Sequence, residues 1–363
     1  MPNSSLPLRS TAEKLEMISP LDRWSFFTRQ GLRVAWYMGH YFATQDFRQA
    51  GRETPQSHPD KSPPPRSNSF DLFGELAALF RRDLDNVAQG LYPMPRDHDG
   101  SLAEVLSLSR AFFADVPLAA ERKNAGAGRE IYDPGLAREF PDYFLQNFHY
   151  QTGGYLTDES ARLYDTQVEV LFSGTANAMR RQCIVPVAQF LRGRDQRNFS
   201  LLDVACGTGR FLRFLKEAFP RLALTGLDLS QPYLDEAGRH LAPYAAVLEK
   251  GQAEALPFPS SSFDLVTSIY LFHEVPREVR RRIAAEFLRV LKPGGRLIFM
   301  DSLQLGDRTG FDGLLEAFPR NFHEPYFGDY LRDDLRAVFS QAGLRPASVE
   351  TFFLSKRIVC EKL

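Results

Sequence analysis

The 363-residue sequence predicts an α/β protein: a seven-stranded, mostly parallel sheet whose last strand is antiparallel, behind an N-terminal, mainly α-helical domain. From about residue 198 onward, short apolar runs alternate with helix-length amphipathic ones, the grammar of βαβ units whose sheet is covered on both faces. Before that point, apolar side chains recur at helical spacing. Composition agrees: 44% hydrophobic and 25% charged residues are the proportions of a chain that buries a large core without disulfide or metal staples.

In chain order, residues 11–49 read as one or two amphipathic helices with Trp24, Phe27, Val34, Trp36, Met38 and Phe42 as apolar positions. Peripheral membrane contact through residues 24–43 is one use for that face, and packing on the rest of the protein is the other. Glu16, Asp22 and Asp46 dilute the positive charge a membrane-surface helix carries, which favours packing. Residues 50–69 are rich in Pro, Ser and charge and read as a flexible linker, extended at Pro63-Pro64-Pro65. Helical patterning resumes at 70–90 and again at 101–114, and the Gly-rich stretch 124–130 reads as a loop. Residues 140–156 hold seven aromatic positions, counting His149, with Gly153-Gly154 as a flexible break. Thr157 or Asp158 then caps a helix expected to run to about Gln182. The predicted division is 1–49 amphipathic helices, 50–69 linker, 70–182 a helical substrate or lid domain, and 183–363 the sheet domain.

Within the last unit, strands are expected at 200–205, 223–228, 246–250, 264–270 and 296–301, with helices at 209–218, 232–241 and 277–291. The runs 349–353 and 357–360 are separated by only three residues, too few for a parallel crossover, so they should pair antiparallel. The run Arg280-Arg281-Arg282 reads as the solvated face of its helix.

Several function classes drop out. Cys183, Cys206 and Cys360 are far apart and form no CxxC pair, which argues against a disulfide framework or a structural zinc; no metal is expected, and a reducing cytoplasmic setting fits. Charge is balanced at 44 basic against 45 acidic residues, without the excess of a nucleic-acid binder. The N-terminus has no apolar run of signal-peptide type, and the most hydrophobic stretch, 34–43, is about half a bilayer span.

The chemistry concentrates where the first strand ends, in Asp203-Val-Ala-Cys-Gly-Thr-Gly209. Gly207 and Gly209 let a ligand approach the backbone at the carboxyl edge of the sheet, and Asp203 can face a cation or hydroxyl there. Nineteen residues after Gly209, the second strand ends in Asp228, placed to accept both hydroxyls of a ribose. Leu212 stands where a dinucleotide fingerprint needs its third glycine, and there is no P-loop ending. Adenosine without a pyrophosphate is the ligand this pattern suits.

Four segments carry a resemblance: 201–212 (LLDVACGTGRFL), 224–230 (LTGLDLS), 251–275 (GQAEALPFPSSSFDLVTSIYLFHEV) and 289–301 (RVLKPGGRLIFMD). In order and spacing they are similar to the class I S-adenosylmethionine-dependent methyltransferases, of Rossmann-like fold, and to the ubiquinone and menaquinone biosynthesis branch in particular. The resemblance covers about residues 198–302. It implies S-adenosylmethionine as cofactor and S-adenosylhomocysteine as product. It also implies that the loop of Ala205, Cys206, Gly207 and Gly209 runs along the methionine and ribose, with Asp203 at its base. Asp228 would take the ribose hydroxyls, Leu229 flank the adenine, and Gln252, Ala253 and Glu254 abut its other side. Two positions depart from the family: Gln252 where Asp is frequent, and Ala205 where Gly is frequent.

Methyl transfer from a sulfonium is an in-line displacement at its methyl carbon that leaves a neutral sulfide, so positioning and desolvation dominate. A base is needed only where the acceptor atom carries a proton. The candidates are His273 with Glu274 after the fourth strand, His323 with Glu324 in the insert after the fifth, and His149 with Tyr150 in the aromatic segment. Each has a structural alternative: His273 and Glu274 can cap the next helix, and His323 can be an ordinary hydrogen-bonded histidine. The aromatic residues of 135–182 and 303–335 suit a lipophilic or aromatic small molecule, with Phe148, Tyr155, Phe322 and Tyr326 as its expected contacts. The same rings could equally fasten the helical half to the sheet. Phe148, His149, Tyr150 and Tyr155 are together expected to line the acceptor pocket as a lid hinged at Gly153-Gly154. Two other readings stand: a protein or RNA methyltransferase, and a protein that keeps the cofactor without methylating.

Overall fold

The structure is a computed structural model that describes residues 18–44, 69–97 and 99–363. Residues 50–68 of the linker predicted at 50–69, and the predicted helical residues 11–17 and 45–49, lie outside the described residues. Seven strands form one sheet: β1 (Ser200–Val204), β2 (Ala223–Asp228), β3 (Val247–Lys250), β4 (Phe263–Ile269), β5 (Leu291–Ser302), β6 (Arg345–Phe352) and β7 (Ser355–Glu361). Their spatial order is β3-β2-β1-β4-β5-β7-β6, and β7 runs antiparallel to both of its neighbours. The chain winds outward from β1 to β3, then returns to β4 on the other side of β1. That reversal opens a crevice beyond the carboxyl ends of β1 and β4, where ligands of such sheets bind.

The helical half is laid over this sheet. Helices α1 (Pro20–Ala43), α2 (Ser69–Ala88) and α3 (Leu102–Ala125) precede the aromatic segment, followed by α4 (Asp158–Leu171), α5 (Ala176–Arg181) and α6 (Ile184–Leu191). Ser19 caps α1, and Ser101 with Glu104 closes a reciprocal capping box on α3, which ends at left-handed Gly126. Phe26 of α1 and Leu79 and Leu84 of α2 pack in one apolar cluster with Ile184, Val187, Leu201 and Leu265. Buried arginines tie the same parts together. Arg181 pairs with Asp83 and Asp97, Arg33 with Asp99 and Glu169, and Arg210 with Asp165. Removing one partner of such a buried pair strands a charge and typically costs about 3–5 kcal/mol.

Three expectations need correction. The single helix predicted over 158–182 is broken, because the chain turns at Ser173 and Gly174, both at positive φ. A Cβ on Gly174 would stand 3.1 Å from the backbone of Arg33, so the break lets this turn pack directly on α1. The helix predicted at 101–114 continues to Ala125. Arg280 is not on a solvated face. It lies on the helix Arg277–Val290, is fully buried, and donates to Asp329 (2.8 Å), Asp333 (3.1 Å) and the carbonyls of Phe272 and Tyr326. It thereby fastens the turn after β4 to the insert after β5.

Helix α1 is unusual in what it hides. It buries Phe26, Gln30, Arg33, Tyr37 and His40, while Leu21 (72% exposed), Trp24 (68%), Leu32 (67%) and Phe42 (55%) face outward. No described helix is long and apolar enough to cross a membrane.

Candidate functional site

A cavity lies in the crevice, with the ends of β1, β2 and β4 as its floor and the aromatic segment as its roof. Its first end is built from backbone. Ala205 and Gly207 wall it, and both have positive φ (58° and 54°). A Cβ added to Gly207 would meet nothing, so that face of the loop stays open to a ligand. At Ala205 the left-handed conformation costs an L-residue about 1–2 kcal/mol, a cost a glycine there would not carry. The Asp228 carboxylate accepts from the amides of Gly207 (2.8 Å) and Ser230 (2.9 Å), so it both shapes the loop and faces the cavity. Burial raises its pKa against those hydrogen bonds.

Of the other residues expected around the cofactor, Leu229 and Ala253 line the cavity. Glu254 stands behind the wall, holding the hydroxyl of Tyr143, itself a lining residue, at 2.7 Å. Gln252 and Gly209 lie off the wall: Gln252 caps a turn through its carbonyl, and a Cβ on Gly209 would strike Ala237 at 2.9 Å. The Cys206 thiol is buried and its pKa raised by that burial. Asp203 is 2% exposed and accepts from Thr267 at 2.6 Å; burial pushes its carboxyl up to about 7.

The second end is built from side chains of distant segments. Phe144, Phe148, Tyr155, Tyr164, Tyr233 and Tyr270 supply rings, and Glu274 supplies the carboxylate. Tyr155 donates to Glu274 at 2.5 Å. Behind Glu274, His273 Nδ1 bonds Asp301 Oδ1 at 2.6 Å. Asp301 ends the buried part of β5 and also accepts the amides of Phe272 (2.8 Å) and His273 (3.3 Å), which fixes the turn after β4. Burial alone would lower His273, but Asp301, Glu324 and Glu274 push it up to about 10. Burial, with Glu324 and Asp301 adding, pushes Glu274 up to about 8 against the pull of His273.

The remaining expected residues stand elsewhere. His149 and Tyr150, both at positive φ, do not line the cavity. The His149 ring packs on Phe318 and Phe322 with Nε2 2.6 Å from Glu324, and Tyr150 lies beside His323. His323 bonds Gln146 at 2.9 Å and fills the space a Cβ on Gly128 would need. Phe322 and Tyr326 belong to the layer behind the wall. Gly153 and Gly154 have a packing role: their φ values are positive, and Cβ atoms there would strike Thr157 and Ile131. Tyr143 and Phe144, two of the aromatics noted in 135–182, line the cavity, whereas sequence reasoning did not single out Tyr164, Tyr233, Tyr270 or Asp301 for the site. Asp301 was findable, since it ends its strand at the same sheet edge as Asp228.

Comparison with known proteins adds three findings. A family model described as a methyltransferase domain matches residues 201–295. A demethylmenaquinone methyltransferase of Thermotoga maritima is 31% identical over 182 residues, which are 50% of this chain and 75% of that protein. A ubiquinone/menaquinone biosynthesis C-methyltransferase of Methylobacterium nodulans is 35% identical over 163 residues, 44% of this chain and 62% of that one. Among solved structures, a SAM-dependent methyltransferase from Aquifex aeolicus is similar at 18% identity with a TM-score of 0.37, covering 49% of this chain and 89% of that chain.

Proposed function

This chain belongs to the class I S-adenosylmethionine-dependent methyltransferases, on the branch of the quinone-biosynthesis enzymes, and from that premise we propose that it methylates a lipophilic aromatic small molecule of phenol or hydroquinone type. One observation carries the reading: a single cavity joins the glycine loop and Asp228 to a ring-lined end that holds one hydrogen-bonded carboxylate. Residues 183–363 hold the cofactor and the aromatic segment of 70–182 covers the acceptor.

Asp228 receives the ribose hydroxyls and Leu229 and Ala253 take the adenine. The rings exclude water and set the acceptor's nucleophilic atom in line with the sulfonium methyl, which is where effective molarity comes from. Glu274 takes the acceptor's proton. Of the sequence candidates for the base, it alone lines the cavity; His273 stands behind it on Asp301, and His149, Tyr150, His323 and Glu324 are not on the wall. The enclosed, ring-lined end favours a small molecule over a protein or RNA strand.

The test is a screen of lipophilic phenols, hydroquinones and naphthols with cofactor, read as a mass gain of one methylene. Turnover of that class supports the reading; methyl transfer to protein or RNA with none to these compounds overturns it. The outward face of α1, with Arg23 and Arg29 exposed among Leu21, Trp24 and Leu32, supports contact with an anionic lipid surface from which such an acceptor partitions. Flotation with anionic vesicles that Trp24→Asp abolishes supports this, and equal recovery of both proteins in the lipid-free fraction refutes it.

A further inference from the structure

Behind the acceptor end, three side chains converge in a way that base catalysis does not require. His273, Glu274 and Glu324 each offer a donor atom, and the three atoms lie within 4.8 Å of one another. They come from two places, the turn after β4 and the insert after β5, which Arg280 holds together. We infer that His273, Glu274 and Glu324 form a binding site for a divalent first-row transition ion.

Two independent features point to a cation. The first is Glu324. Its side chain is wholly buried, and neither carboxylate oxygen accepts a hydrogen bond among the described residues. The His149 Nε2 lies 2.6 Å from Oε1 but is not aligned to donate. A buried carboxylate left so costs several kcal/mol unless a charge meets it. The second is His273. Its Nδ1 is tied to Asp301 at 2.6 Å, which turns Nε2 toward the cluster, 3.8 Å from Glu274. A carboxylate on one ring nitrogen that aims and enriches the other is the outer-shell arrangement of metal-bound histidines.

The donor set is one imidazole and two carboxylates, a mixture that suits ions from Mn²⁺ to Zn²⁺ rather than Mg²⁺ or Ca²⁺, which prefer oxygen alone. Donors around such an ion at about 2.1 Å stand roughly 3–4 Å apart, so rotation of the Glu324 and Glu274 side chains closes the site. His149 is positioned as a further ligand through the contact it already makes with Glu324. Because Glu274 also lines the cavity, an ion held by it would lie beside the acceptor end, where a hydroxyl oxygen would be a fitting ligand. The inference concerns the ion and holds whatever the acceptor is.

Equilibrium dialysis of chelator-treated, full-length protein against MnCl₂ or ZnCl₂, read by elemental analysis, tests it. One ion per chain is expected. Glu324→Gln should weaken binding at least tenfold, and Asp301→Asn about 10–100-fold through the orientation of His273. His323→Ala, which removes a nearby histidine outside the cluster, should leave binding unchanged. Cofactor titration shows whether each variant is folded, and Glu274→Gln supplies the lesion should Glu324→Gln not fold. The inference is overturned by wild-type protein that takes up no stoichiometric ion, or by binding that the folded cluster variants retain in full. Metal content is read without turnover, so a failed acceptor screen and a failed metal site are told apart.

Discussion

The two ends of the cavity are made by different means. The cofactor end is a backbone feature: one turn of chain, Ala205 to Gly209, bent by positive φ values and held by the Asp228 carboxylate across the β1–β2 pair. The acceptor end is a side-chain feature, in which Tyr155, Glu274, Asp301 and Glu324 meet from four separate segments. A turn of backbone tolerates many side chains, whereas a convergence of side chains fails when any one changes. Substitutions at the acceptor end should therefore act on turnover, and those at the cofactor end on affinity.

The largest effect should come from Glu274→Gln. The amide keeps the shape and the contact with Tyr155 but cannot take a proton, and loss of a positioned base typically costs about 10²–10⁴ in rate. Turnover at saturating cofactor should fall at least 100-fold while the cofactor dissociation constant moves less than about threefold. A variant that loses affinity and turnover in parallel would erase the distinction between the two ends. Next is Asp228→Ala. It removes the proposed acceptor for two ribose hydroxyls and the support of the Gly207 amide, each hydrogen bond to a charged group being worth about 1.5–3 kcal/mol. Calorimetry should show cofactor affinity at least tenfold weaker, with turnover largely recovered at saturation; an unchanged affinity would remove Asp228 from the cofactor site. Tyr155→Phe is milder, because it removes one hydrogen bond to Glu274 and keeps the ring. A several-fold drop in turnover with unchanged cofactor affinity is expected, and wild-type kinetics would show that Glu274 needs no partner.

The same contrast decides what the sequence revealed. The sheet, the glycine loop and Asp228 were legible because each is local: a strand's period, a turn's glycine, a residue at a strand's end. Phe148, Tyr155 and Glu274 line the cavity as read, since the crowding of rings and the strand-end position were visible in the chain. His149 and Tyr150 could not be separated from Phe148 and Tyr155 by sequence, because consecutive residues point apart once the chain leaves helical φ. Glu324 was read only as a pair with His323, since only folding reveals which of two neighbours turns inward. Arg280 was misread although its signal was present: it shares a helix face with Ile283, Ala284 and Phe287, all buried. A run of three arginines masks the one whose spacing is that of the core. The broken helix after Leu171 had its cue in Ser173-Gly174, which the strong apolar stripe on either side outweighed.

Asp203 belongs to the cofactor end yet is a side chain held in the core, so it joins the two halves of the comparison. It is 2% exposed, with Thr267 as its hydrogen-bond donor and Asp228 as a like charge nearby, and burial pushes its carboxyl up to about 7. The native pKa is thus above the unfolded one, so between about pH 4 and pH 7 the folded state holds a proton that the unfolded state has lost. Stability from this group is full at acid pH and declines as pH rises through that window. A cationic cofactor reverses part of the loss, since its positive charge favours the ionised carboxylate once bound nearby. Thermal unfolding should therefore show Asp203→Asn gaining on the wild type between pH 5 and pH 8, by a few degrees at most in a chain of this size. The shift in melting temperature on adding S-adenosylmethionine should grow with pH in the wild type and stay flat in Asp203→Asn. Equal pH dependence in the two proteins would mean that Asp203 serves the loop only through Thr267, and that the cofactor end is backbone alone.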